Sequence, residues 1–114
     1  MGIQEDAGEL LAYIYEQYIL GKGKIMPQDI IYETKWDAGR INRAKTYLAD
    51  LDLIKIVSLA GNTEGVHNFL IVGLMPSGIK TIENKKNFIS TFGFEIGMPG
   101  VFKFSWKGER KERE

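Results

Sequence analysis

The chain of 114 residues contains no cysteine and one histidine. Without cysteine there are no disulfides, no thiolate metal sites and no cysteine nucleophile, and the composition suits a reducing compartment. His67 alone, with no carboxylate cluster near it in sequence, makes a poor metal site, and the expectation is no metal and no cofactor. Long apolar runs are missing too: none approaches the ~20 residues that span a bilayer. Glu5, Asp6 and Glu9 precede the first apolar run, unlike a secretory signal, so the protein is expected to be cytoplasmic. No excess of either charge exists, with 15 basic and 15 acidic residues. Strong nucleic-acid binders usually carry a basic surplus.

What is present has an ordinary balance, 44% hydrophobic and 26% charged, at a length that suits one core. The charge is unevenly placed. Residues 1–20 carry four acids and no base, residues 35–46 four bases and one acid, and residues 85–114 seven bases and four acids. Local charge of this kind steers a partner even when the total is zero.

Apolar periodicity predicts the elements. Ala7, Leu10, Leu11, Ile14 and Tyr18 fall at helical spacing over residues 6–20. The "GKGK" of Gly21–Lys24 ends that helix; the remaining Walker spacing is missing, so it is read as a stop and not a phosphate loop. Pro27 opens a short second helix over 27–33 that buries Ile30 or Ile31. Thr34 or Asp37 caps a third helix over about 37–52, with Ile41, Ala44, Leu48 and Leu51 as its inner stripe. "LIKIVSL" (53–59) and "HNFLIVGL" (67–74) are strand-like, joined by the turn-rich "AGNTEGV". "MPSGIKTIEN" (75–84) predicts a fourth helix with Ile79 and Ile82 inward. Trp36 is expected to pack rather than to stack on a base.

The order helix, helix, helix, hairpin, helix carries a resemblance. "INRAKTYLADLDLIKI" resembles the recognition helix and first wing strand of winged helix-turn-helix domains, and "LMPSGIKTIE" is similar to the element that follows the wing in many prokaryotic regulators. The likeness spans roughly residues 9–84. It implies an α+β winged helix-turn-helix, with a three-helix core, a β-hairpin wing and a fourth helix, over residues 5–84. It also implies a transcriptional regulator that places its third helix in the major groove of double-stranded DNA. On a helical wheel Gly39, Asn42, Arg43 and Thr46 face away from the core, with Arg40 and Lys45 on the flanks. Arg43 would fork onto guanine and Asn42 pair with adenine. Arg40, Lys35 and Lys45 suit phosphates, Asn62 offers a hydrogen bond at the wing tip, and Lys22 and Lys24 could add backbone contacts. The tip holds Glu64 and no base. The competing expectation is a winged-helix module that binds protein and not DNA.

Residues 85–107 lie beyond that pattern. "NFISTFGFEI" alternates, and "VFKFSW" after the "GMPG" turn does the same, which predicts a second hairpin with an aromatic face. Phe92, Phe94, Phe102, Phe104 and Trp106 on that face favour a homodimer; folding back on the core, or walling a ligand pocket, are the alternatives. Residues 108–114 are alternating charge and are expected to be frayed. No catalytic constellation is present: there is no Ser–His–Asp arrangement, no HExxH and no dinucleotide fingerprint, and Asp50 and Asp52 diverge on a helix. The protein is not expected to be an enzyme.

Overall fold

A computed structural model describes residues 2–95 and the backbone of residues 111–112. Among these residues the chain is α+β, with five helices and an antiparallel two-stranded hairpin. Helix α1 (Ile3–Ile19) begins with Glu5 accepting a hydrogen bond from the Gly2 amide at 2.9 Å. Glu5 and Asp6 lie in its first turn, where the helix dipole favours them. Ala7, Leu10, Leu11 and Ile14 are buried, and the helix stops at Gly21, φ +80°. This helix is the hub of the core: α3, α4, α5 and β2 all pack on it.

Pro27 occupies the first turn of α2 (Pro27–Thr34), and Asp29 accepts from the Met26 amide at 2.8 Å. Lys35 ends α2 in the left-handed region, φ 60°. Asp37 caps α3 (Ala38–Asp50) by accepting from the Arg40 amide at 2.8 Å. Ile41, Ala44 and Leu48 are fully buried as the spacing predicts, whereas Leu51, just past the helix end, is 43% exposed. Trp36 is buried, in line with a packing role.

Strands β1 (Ile54–Thr63) and β2 (Val66–Leu74) are longer than the sequence suggests. The expected loop over 60–66 shrinks to a two-residue tip, because Thr63 pairs with Val66. Glu64 (φ 52°) and Gly65 (φ +88°) both take positive φ, as tight hairpin turns require. A register shift between Ser58 and Asn62 absorbs extra β1 residues as a bulge. Ile25 bridges Ile71 on the other edge of β2, which fastens the turn after α1 to the sheet.

Helix α4 (Pro76–Glu83) buries Ile82. At Gly78 the helix meets the Leu53 carbonyl so closely that a β-carbon would collide with it. The strand predicted from "NFISTFGFEI" is a correction: residues Lys85–Phe92 form helix α5. Asn84 caps it by accepting from the Asn87 amide at 2.9 Å, and Gly93 (φ +84°) ends it. Among the described residues of that stretch Phe94–Glu95 (β3) is extended, pairing with Lys111–Glu112 (β4), a segment expected to be frayed. Phe88, Phe92 and Phe94 form one aromatic cluster, with Phe88 4.8 Å from Phe92 and 5.3 Å edge-on from Phe94. Phe92 and Phe94 are fully buried in the chain's own core against Gly8 of α1, which leaves neither on the surface where a dimer would form. Phe102, Phe104 and Trp106 lie outside the described residues.

Candidate functional site

The outer face of α3 is where the sequence concentrates candidate contacts. Asp37 fixes the start of the helix, and the buried stripe of Ile41, Ala44 and Leu48 fixes its rotation about the axis. Arg43, Thr46 and Asp50 are thereby exposed. Together with Ile3, Tyr47 and His67 they border an open depression of about 390 Å³. Among the described residues no cluster of His, Asp or Glu is placed to hold a metal ion, and no helix is long and apolar enough to cross a membrane.

The expected contact residues divide into those the fold occupies and those it leaves outward. Arg40 is occupied. Its Nε and Nη2 donate to Asp6 Oδ2 and Oδ1 at 2.8 and 3.0 Å, a bidentate pair across the α1–α3 joint. Its guanidinium also lies 4.3 Å over the ring of buried Trp36. The Asp6 side chain is 6% exposed and that of Arg40 27%. The hydrogen bonds to Asp6 raise the Arg40 pKa further above its ordinary value. The expected phosphate contact from Arg40 is therefore corrected: an internal carboxylate holds its fork.

Asn42 is also occupied. Its Nδ2 donates to the Gly65 carbonyl at 3.1 Å, and its Oδ1 accepts from the His67 amide at 3.0 Å. Donor and acceptor both clamp the hairpin to α3, so the expected adenine-pairing amide faces hairpin backbone instead. The clamp brings Gly65 so near α3 that a β-carbon there would sit 3.0 Å from Ala38 Cβ. Both its positive φ and this tight contact favour glycine at position 65. Asn62 Oδ1 accepts from the Gly65 amide at 3.2 Å, shaping the tip from within.

Arg43 is the outward cation. No ion pair or hydrogen bond to another described residue holds it, and its Nη1 lies 3.1 Å from where a β-carbon of Gly39 would be. The absence of a side chain at Gly39 gives that guanidinium its resting place. Lys35 is exposed, with its ammonium 4.6 Å over Tyr32. Lys45 is half-buried, its ammonium 5.6 Å from the Phe69 ring. Arg43, Thr46 and Lys35 are therefore the expected residues that stay exposed on or beside α3, with Gly39 and Lys45 half-buried among them. Lys22 and Lys24 follow the far end of α1, a helix roughly 25 Å long whose first turns hold Arg40.

Helical spacing puts Tyr47 on the flank of the third helix, but sequence reasoning missed His67 and Ile3, which share the depression with it from β2 and α1. His67 is the second residue of β2, and its pairing with Asn62 in the structure places it beside the tip. Comparison of the chain with protein-family models, curated proteins and solved structures gives no match.

Proposed function

We propose that the chain is a winged-helix domain that binds duplex DNA through the outer face of α3, with the β1–β2 hairpin as its wing. The observation that carries this reading is Arg43: an exposed guanidinium in the N-terminal half of α3, held by no described carboxylate. That half of a recognition helix is what normally enters the major groove. Element order supports the same reading, since a hairpin and a further helix follow α3 directly. Arg43 is the base-contacting residue, with Thr46 beside it; Lys35 and Lys45 supply phosphate contacts, and Arg40 and Asn42 serve as struts.

Three cations on this face give modest affinity that falls with salt. With about three phosphate charges neutralised, binding should weaken about 40-fold between ~50 and ~200 mM salt. Fluorescence anisotropy on a labelled duplex at both concentrations, for the native chain and Arg43→Ala, is the test. Loss of most of the affinity in the variant supports the proposal. No binding by the native chain even at low salt overturns it.

A second reading, docking of a protein on the same face, is favoured by a specific observation. Asp50 lies on the depression's border with half-buried Tyr47 and 43%-exposed Ile3, and Glu64 stands at the hairpin tip. Mixed charge around apolar side chains suits a protein surface better than a phosphate backbone.

A further inference from the structure

The two edges of the hairpin sheet are treated differently. The far edge of β2 is met by Ile25, whose amide donates to the Ile71 carbonyl and whose carbonyl accepts from the Ile71 amide, both at 3.0 Å. The far edge of β1 is met by no strand among the described residues. The Ile25 bonds also fix which groups β1 leaves open. Ile71 turns its amide and carbonyl away from β1, and opposite residues of an antiparallel ladder share that sense. Ile56, the register partner of Ile71, therefore turns its own amide and carbonyl away from β2, and Ser58, two residues on, does the same.

Native sheets usually blunt an open edge with proline, charge or a covering element. Residues 56–59, Ile-Val-Ser-Leu, hold neither proline nor charge. The side chains beside the edge are apolar and accessible. Ile56 packs on the core, so Val57 points to the opposite face of the ribbon, where it is 47% exposed. Leu59 is 49% exposed and Val72, on β2, 40%. Leu70, the register partner of Val57, is half-buried.

We propose that the open edge of β1 pairs with the same edge of a second copy of the chain, antiparallel, about a two-fold axis at Val57. The position of the open groups selects this occupant. Ile56 and Ser58 flank Val57 evenly, so the rotation sets Ile56 against the partner's Ser58, and Ser58 against the partner's Ile56. Each pair then exchanges both of its amide–carbonyl bonds. Val57 meets its own copy in the non-hydrogen-bonded position, where side chains stand closest. Leu59 falls beside the aliphatic stem of the partner's Lys55. The two copies of Lys55 end about 14 Å apart along the strands, so no like charges meet. The two hairpins become one continuous sheet. None of these residues belongs to the α3 surface, so the pairing stands whether or not that surface binds DNA.

The native chain has no cysteine, so Val57→Cys places a single thiol at the axis. Opposed non-hydrogen-bonded positions lie about 4.5 Å apart at Cα, within the ~4.4–6.8 Å that a disulfide spans. In a glutathione redox buffer this variant is expected to cross-link at least about tenfold faster than Tyr32→Cys, a 76%-exposed site on α2. Sedimentation equilibrium of the native chain should show monomer–dimer exchange with a dissociation constant below about 1 mM, as befits a small interface. Val57→Lys opposes two ammonium groups at the axis and should weaken the dimer at least about tenfold. Should that variant fail to fold, the cysteine comparison still decides. Arg43→Ala should dimerise like the native chain while losing DNA, which separates failure of this edge from failure of the α3 reading. A native chain that stays monomeric up to about 1 mM, a dimer that survives a folded Val57→Lys, or equal cross-linking of the two cysteine variants would each overturn the proposal.

Discussion

The two ends of α1 do opposite things with similar chemistry. At the first, Asp6 is buried in a bidentate pair with Arg40, and Gly8 lies so close to Phe92 and Phe94 that a β-carbon would stand 2.9 and 2.8 Å from them. At the second, Tyr18, Ile19 and Leu20 are 49%, 49% and 64% exposed, and the lysines beside them meet no described carboxylate. The lesson is that a basic residue on a surface map has two meanings. Where folding carries a carboxylate to it, the cation is a structural joint; where none arrives, it is left for an outside partner.

The largest effect is expected at the packed end. Arg40→Ala takes the bidentate fork from the Asp6 carboxylate, 6% exposed, and should cost about 3 kcal/mol of stability. Urea denaturation measures this, and pairing the change with Asp6→Ala should recover part of the loss. A cost under about 0.5 kcal/mol, the range of ordinary surface substitutions, would mean that the two ends do not differ.

Midway along the helix the expected effect is smaller and depends on pH. Burial, then nearby Asp29, Glu33 and Glu16, pushes the Tyr13 hydroxyl up to about 12. Burial, then the 2.6 Å hydrogen bond to Glu83, pushes Tyr15 up to about 12 as well. Both groups keep their protons in the folded chain while an unfolded tyrosine releases its own near pH 10. The stability they contribute is therefore complete below pH 10 and is lost as the pH rises toward 12. Tyr15→Phe should cost about 1 kcal/mol at neutral pH, because a partly buried hydrogen bond is removed. It should also make the alkaline fall of the urea midpoint shallower. An unchanged slope between pH 10 and 12 would remove Tyr15 from this account.

At the open end almost nothing should happen to stability. Leu20→Ser replaces a side chain 64% exposed and should stay within about 0.5 kcal/mol of the native chain in the same urea assay. A larger loss would show that this end is covered and not open.

The parts of the fold readable in the sequence are those set by neighbours in the chain. Pro27 and Asp37 mark helix starts that the structure keeps, and Ile41, Ala44 and Leu48 repeat at a spacing that only a helix buries on one side. Helix α5 was legible but misread. Phe88 and Phe92 are four residues apart, a separation that fits two strand repeats and one helical turn equally well. The deciding signals were Asn84 before the run and Gly93 after it, a cap and a stop. The candidate site was less accessible. Nothing near Arg40 in sequence announces a carboxylate 34 residues away, and nothing near Asn42 announces hairpin backbone 23 to 25 residues ahead. A helical wheel gives a side chain's direction but not what the rest of the chain brings to meet it.

The bond between Asn42 and the hairpin has a thermodynamic consequence for whatever docks there. A protruding ribbon left to swing would have to be immobilised at the moment of association, and the lost freedom would weaken the complex. Here the Asn42 amide, bonded to the Gly65 carbonyl and the His67 amide, fixes the angle between ribbon and helix from within the chain. Any occupant of that concave surface therefore meets a mould and not a hinge, and the strength of its grip follows from how well it fits.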